Sequence, residues 1–297
     1  MTQEDILEAL PVATWDGPFD ADVQTRAADA LEAGRVLLFR SLSFAVRPPE
    51  ERFLDPASLG SSRKNISLDP LSNTLGNTTL SIEDAAGLAG MMGRFAAAAS
   101  SLVSSLFPAY AATLERARTS FRPAEISGRA YSARQDDRLL HVDAFPTRPL
   151  AGRRILRLFS NIAPDGAPRE WQIGEPFADF ARAFLPAIRP PMPGSAWLMQ
   201  HLGLTKGRRS PYDHAMLALH DRGKLDAAYQ ARGPKVDVSF PAGATWLCFT
   251  DQVLHAALAG HCALEQTFHL PVHAMVHPER APLRVLERLA GHSLSDN

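Results

Sequence analysis

From Phe121 onward the chain breaks into short runs rich in Ile, Leu, Phe and Val, punctuated by "DD", "PDG", "PG" and "PAG". Short apolar runs bounded by turn residues read as strands, and many of them in series leave few architectures besides a sandwich or a barrel. The expected strands are "GRRILRLFSNIAP", "SAWLMQHLG", "DHAMLALHD", "KVDVSFP", "ATWLCFTD", "VLHAALAG" and "EQTFHLPVHAMV", interrupted by a helix over 176–185. The segment "APLRVLERLAG" places Leu283, Leu286 and Leu289 at helical spacing, as in a helix packed on its own core.

Before Phe121 the texture is helical. "DADVQTRAADALEAGRVLLF" keeps helical periodicity up to Gly34, a stop signal, and then gives a short strand over 36–39. Residues 49–80 are polar and turn-rich, and a helix over 82–118, broken at Pro108, follows. Within it, 85–107 comes nearest to a membrane span, but that stretch is Ala/Ser/Gly-rich and carries Arg94, so it reads as a helix of a soluble fold. The pattern predicts a mixed α and β chain: a mainly helical part, 1–120, packed on a β-sandwich core, 121–297, in one compact domain.

A chain of 297 residues, 45% hydrophobic, can bury such a core without disulfides. Its two cysteines, Cys248 and Cys262, show no metal or redox spacing and suit a reducing compartment. The acidic start "MTQEDILEAL" lacks the basic and apolar regions of a secretory signal, so a cytoplasmic location is expected. A formal charge of -1 argues against nucleic acid as a partner; any anion must be met by local arginines.

The chemistry concentrates in two stretches. In "LLHVDAFP", His141 and Asp143 stand two apart, and on a strand they point the same way and can share one ion. "FPAGATWLCFTDQVLHAAL" adds a turn, a strand, a sharp "TDQ" loop and His255 at the start of another strand. Two imidazoles and one carboxylate on one wall leave three coordination positions open, which is the facial triad of non-haem Fe(II) oxygenases. An isolated H-x-D arises easily in a chain with ten histidines. The ordered set, H-x-D and then turn, aromatic-containing strand and distant His, is what marks this one. His201, His214, His220, His261, His269 and His273 have no metal spacing and read as core or surface residues.

Several longer segments go further. "KNISLDP", "RARTSFRPAEISGRAYSARQDDRLLHVDAFPTRP", "GRRILRLFSNIAP", "LGLTKGRRSPYDHAMLALHD" and "TWLCFTDQVLHAALAGHCALEQTFHLP" resemble the Kdo hydroxylases of Gram-negative bacteria, within the Fe(II)/2-oxoglutarate-dependent dioxygenases. The likeness runs over nearly the whole chain. It implies a double-stranded β-helix (jelly-roll, cupin-like) core with helices around it, Fe(II) held by His141, Asp143 and His255, and 2-oxoglutarate and O2 as cosubstrates. The implied reaction hydroxylates the outer 3-deoxy-D-manno-oct-2-ulosonic acid (Kdo) of Kdo-lipid A, a lipopolysaccharide precursor, at C3, with release of succinate and CO2. The implied workplace is the cytoplasmic face of the inner membrane, with peripheral contact to it.

Many dioxygenases of this superfamily carry an arginine on the strand after the second histidine, where this chain has Glu265, Gln266 and Thr267. The substitute is expected on the strand after H-x-D. There Arg157, Phe159 and Asn161 share a face by alternation, and an arginine inside a barrel is costly unless it meets an acid. Arg157 is therefore the expected clamp for the distal carboxylate of 2-oxoglutarate, with Gln266 adding a hydrogen bond in the same pocket. A basic rim is expected for the anionic sugar: Arg122 first, since it stands between Phe121 and Pro123, then Arg148, Arg169 and the loop with Lys206, Arg208 and Arg209. Trp171, beside Arg169, is expected to stack on a sugar ring. Lys64 and Asn65 sit in a family-like loop without a derivable role. Two alternatives stand beside this reading: a dioxygenase acting on a peptide or free small acid, and a non-catalytic jelly-roll carbohydrate-binding protein whose His/Asp set is structural.

Overall fold

The computed structural model describes residues 1–60, 64–128 and 132–295; Arg129, Ala130 and Tyr131 of the family-like segment and the last two residues of the polar tail lie outside them. The described strands in chain order are β1 (Leu7–Ala9), β2 (Val36–Phe39), β3 (Ile66–Leu68), β4 (Leu75–Gly76), β5 (Glu115–Arg122), β6 (Arg154–Asn161), β7 (Arg169–Gly174), β8 (Lys235–Phe240), β9 (Thr245–Phe249), β10 (His255–Ala259) and β11 (Ala263–Leu270). The α-helices are α1 (Gln3–Ile6), α2 (Ala21–Glu32), α3 (Ile82–Leu106), α4 (Phe177–Phe184), α5 (Ser195–His201), α6 (Pro211–Leu225), α7 (Ala227–Arg232) and α8 (Pro282–Ala290). Eight strands form a large sheet in the order β1-β2-β9-β6-β11-β5-β3-β4, and three form a small one, β10-β7-β8.

Alternation along the central strands divides the core. On β6, Leu156 and Leu158 face the apolar stripe of α3, which buries Leu88, Met91, Met92, Phe95, Leu102 and Leu106. Helix α3 is apolar and long enough to cross a membrane by length and composition. Here it covers one face of the large sheet, and its Arg94 pairs with Glu50 at 2.5 Å. The other face of the sheet, through Phe159, Trp246 and Cys248, packs against Trp171, Ile173, Val238 and Phe240 of the small sheet. A third cluster joins α4, α6 and α8 to Val142 and Leu254, the residues next to His141 and His255.

Three expectations need correction. "SAWLMQHLG" and "DHAMLALHD" are not strands but lie in α5 and α6. Helix α6 starts with a capping box, Ser210 Oγ accepting from the Asp213 amide, and buries Tyr212, Ala215, Met216 and Leu219 on one helical face. The long N-terminal helix stops at Leu106, and the chain beyond Pro108 re-enters the sheet as β5, paired with both β11 and β3. Trp171, expected beside a sugar, lies in β7. The sheet itself crosses residue 120, because β1 to β4 come from the first third of the chain.

Candidate metal centre

His141 does not sit in a regular strand; it makes a single antiparallel bridge to His255, the first residue of β10. Each donates its backbone amide to the other's carbonyl, at 3.1 and 2.9 Å, so two ligands more than a hundred residues apart share one pair of hydrogen bonds. The Asp143 amide donates to Thr250 O at 2.8 Å, which ties the third ligand to the loop leading to His255. That loop is itself fixed: Arg154, fully buried, donates from Nε to Asp251 Oδ2 at 2.8 Å and from Nη2 to Gln252 Oε1 at 2.7 Å. One ligand atom from each of His141, Asp143 and His255 can be chosen so that all lie within 4.8 Å of one another.

The donor set suits a divalent metal. Nδ1 of His141 lies 2.7 Å from Leu139 O and Nδ1 of His255 lies 2.8 Å from Val253 O, so each ring gives its Nδ1–H to a carbonyl and keeps Nε2 as the ligand. Burial above all pushes both imidazoles below their usual range, and they are neutral, as metal ligation requires. Burial works against ionising Asp143, but Arg157 and then the two imidazoles hold its carboxyl far below the ordinary carboxylate range. Asp143 Oδ2 is buried with no hydrogen bond among the described residues, its one close cation being the Arg157 guanidinium in ion-pair contact, so it keeps a lone pair for a metal.

Beside the triad stands a wall of buried charge. Arg157 Nη1 lies 3.2 Å from Asp143 Oδ2 and 3.4 Å from Glu265 Oε1. Arg122 donates from Nη2 to Glu265 Oε2 at 3.1 Å and from Nη1 to Asp137 Oδ2 at 3.4 Å. Lys64 Nζ donates to Asp137 Oδ1 at 2.8 Å, and Asn65 Nδ2 to Ser120 Oγ at 2.9 Å, which gives the family-like loop its structural role. Arg169, 3% exposed, donates to Gly260 O at 3.1 Å; burial, and then the field of Arg122, bring its pKa down to about 9. The Trp171 ring stacks on the His255 imidazole at 5.2 Å and meets Phe159 edge-on at 5.1 Å. Two donors on this wall, Arg157 Nε and Trp171 Nε1, are buried with no partner among the described residues.

Of the expected site residues, His141, Asp143, His255, Arg157, Phe159 and Arg122 meet around this wall. Arg169 and Trp171 join them as buried members, not as an exposed rim and a sugar platform. Gln266 lies on the wrong face: its register partner on β6 is Leu158, not Arg157, and its amide is saturated by Thr119 Oγ1, Ala117 O and Thr267 O. Asn161 shares the Arg157 face, but its side chain is used up on Ala167 O, Phe240 O and the Ala163 amide. Arg148, Lys206 and Arg208 are exposed on two loops joined by the Lys206 amide donating to Thr147 O at 2.8 Å. Sequence reasoning passed over Glu265, Asp137 and His220. His220, on α6, sets its ring 5.4 Å from that of His141, edge to face. The "DD" before H-x-D read as a turn, and His220 stayed hidden while its segment was read as a strand.

No curated protein matches this chain. Among solved structures, the Kdo hydroxylase KdoO, described as a non-haem Fe(II) α-ketoglutarate-dependent dioxygenase, in complex with α-ketoglutarate and Fe(III), is 49% identical with a TM-score of 0.94, covering 98% of this chain and 97% of that one. The cobalt(II) complex of KdoO gives 49% identity and a TM-score of 0.95, with 98% of each chain covered. The apo form gives 50% identity and a TM-score of 0.94, covering 98% and 97%. The model of the 3-deoxy-D-manno-oct-2-ulosonic acid (Kdo) hydroxylase family matches residues 14–293. A triad bridged as described, in a fold that overlays on KdoO from end to end, leaves one conclusion: this chain belongs to the Kdo hydroxylase family.

Proposed function

We propose that the chain is an Fe(II)/2-oxoglutarate-dependent dioxygenase that hydroxylates Kdo, acting at C3 of the outer Kdo of Kdo-lipid A with release of succinate and CO2. The observation that carries this reading is the convergence of His141, Asp143 and His255 beside three arginines, Arg169 buried and Arg122 and Arg157 partly so. The two facing sheets, closed over Phe159, Trp171 and Trp246, are read as the double-stranded β-helix of this superfamily. Ferrous iron, when bound, supplies the redox chemistry that couples 2-oxoglutarate decarboxylation to C–H hydroxylation.

The protein's own part is positioning. His141 and His255 present Nε2 because their Nδ1–H groups are taken, and Asp143 completes the set as an anion held by Arg157. Arg157 Nε and Trp171 Nε1 are donors waiting for an acceptor, and they suit the cosubstrate carboxylate, with Arg122 and Arg169 adding positive potential. Burial of these groups keeps water from competing with the ligands. The exposed Arg148, Lys206 and Arg208 suit the carboxylate and phosphates of a lipid-linked sugar at the cytoplasmic face of the inner membrane.

Anaerobic Fe(II) titration, followed by succinate measurement with Kdo-lipid A, tests the reading. The parent chain is expected to bind one iron and release succinate with the sugar present, and His141→Ala to do neither. Equal turnover by His141→Ala would remove the triad from the mechanism. Preference for a peptide or a free small acid would move the enzyme to another substrate, and absence of both iron binding and succinate would favour a carbohydrate-binding protein.

A further inference from the structure

Five of the eleven exposed large hydrophobic side chains among the described residues fall within residues 192–204: Met192 78%, Trp197 55%, Leu198 50%, Leu202 63% and Leu204 60%. Helix α5, which carries two of them, has no buried residue at all. Such concentration is unusual, because single exposed apolar residues are ordinary and clusters are not. Charge is skewed in the same place. Between Asp179 and Asp213 the chain has no acidic residue, yet it holds Arg182, Arg189, Lys206, Arg208 and Arg209. At the start of the segment, Ile188, Pro190 and Pro191 form one wall of a largely apolar groove of about 710 Å³.

The segment also borders the metal centre. The Lys206 amide donates to Thr147 O, and Arg209 Nη2 donates to Pro146 O at 2.5 Å, in the loop that leaves Asp143. In that loop the Phe145 ring lies 5.9 Å from the Arg157 guanidinium. The basic end of the segment is thereby tied to the loop that leaves Asp143.

We infer that residues 192–209 are the face by which this protein docks on an anionic phospholipid bilayer, with Trp197, Leu198, Leu202 and Leu204 entering the interface and Lys206, Arg208 and Arg189 meeting lipid phosphates. The argument is one of complementarity: apolar side chains, a tryptophan at their edge and an acid-free basic fringe are what an interfacial segment needs. A protein partner of ordinary composition would not require the absence of acids over the whole stretch. The inference rests on the lipid-linked substrate proposed above and names the surface that delivers it.

Vesicle co-sedimentation of the full chain, without iron or sugar, separates the two claims. The parent is expected to bind vesicles containing phosphatidylglycerol and to ignore pure phosphatidylcholine, with binding weakened by salt. Among the described residues Trp197 is the one exposed tryptophan, and its emission is expected to shift blue on binding. The triple variant Trp197→Ser, Leu202→Ser, Leu204→Ser is expected to lose roughly tenfold or more in vesicle affinity, while turning over a water-soluble, deacylated Kdo acceptor as the parent does. Lys206→Ser and Arg208→Ser are each expected to cost roughly fivefold in binding. Unchanged vesicle binding by the triple variant, or none by the parent, overturns the docking face even if Kdo is hydroxylated. Self-association of the parent that the triple variant lacks overturns it too, assigning the face to a second copy. Vesicle binding lost in the triple variant, in a protein inactive on every Kdo acceptor, supports docking while the proposed reaction fails.

Discussion

Two sets of cations look alike in the sequence and differ in kind in the fold. Arg122, Arg157 and Arg169 are buried or nearly so, and the first two are held by Glu265, Asp137 and Asp143; Arg148, Lys206 and Arg208 are exposed, with no carboxylate paired to them among the described residues. The difference lies in which acids the strands deliver. β11 brings Glu265 between two arginines, whereas no acid interrupts the chain from 180 to 212. Buried pairs act at short range in a low dielectric and are little affected by ions, while exposed charges are screened over about 8 Å at physiological salt. The inner set is suited to hold one cosubstrate in one pose, and the outer set to gather a charged surface.

The largest expected break of this contrast is Arg157→Met. It leaves Asp143 and Glu265 facing each other without their shared cation, and should cost about 3–5 kcal/mol of stability, read as a drop in denaturation midpoint, together with a raised KM for 2-oxoglutarate. Adding Glu265→Gln should recover part of the stability and none of the KM, which separates folding from clamping. Next comes Gln266→Leu, which strands the Thr119 hydroxyl on the helix side of the sheet and should cost about 1–3 kcal/mol with KM for 2-oxoglutarate unmoved. A raised KM would put Gln266 back in the pocket.

His269 sharpens the contrast from another side, as a half-buried ring with neither nitrogen bonded among the described residues. Burial, and then Arg153, bring its pKa down to about 4. With the unfolded value near 6.5, its contribution is fully present above about pH 6.5 and is lost as pH falls toward 4. His269→Leu should flatten the stability profile over that window. The smallest effect is expected from Lys206→Ser combined with Arg208→Ser: stability within about 0.5 kcal/mol of the parent, and a weaker salt dependence of turnover on vesicle-borne substrate. A large loss of stability there would mean that the outer set is built in like the inner one.

The triad was legible because metal chemistry needs particular side chains in a particular order, and spacing alone carries that. Arg157 was legible for a related reason, since alternation from a strand assigned correctly put it inside. What escaped depended on pairing that no local stretch records. Gln266 and Arg157 differ in face because β11 and β6 run in a register set by the whole sheet. The first half of β5, residues 115–118, reads as a helix end, and tertiary pairing of β5 to β3 and β11 overrides that local preference. Helix α6 was readable in principle: Ser210, Pro211 and Asp213 are a helix start, and Tyr212, Ala215, Met216 and Leu219 follow helical spacing. Short apolar runs fit either period, and that ambiguity hid His220.

The backbone bridge between His141 and His255 has a consequence for metal loading. With two of the three ligands already clasped to each other through amide and carbonyl, the socket exists before any ion enters it, and loading demands little reordering of the chain. A chelator should strip the site while leaving the protein folded and ready for refilling.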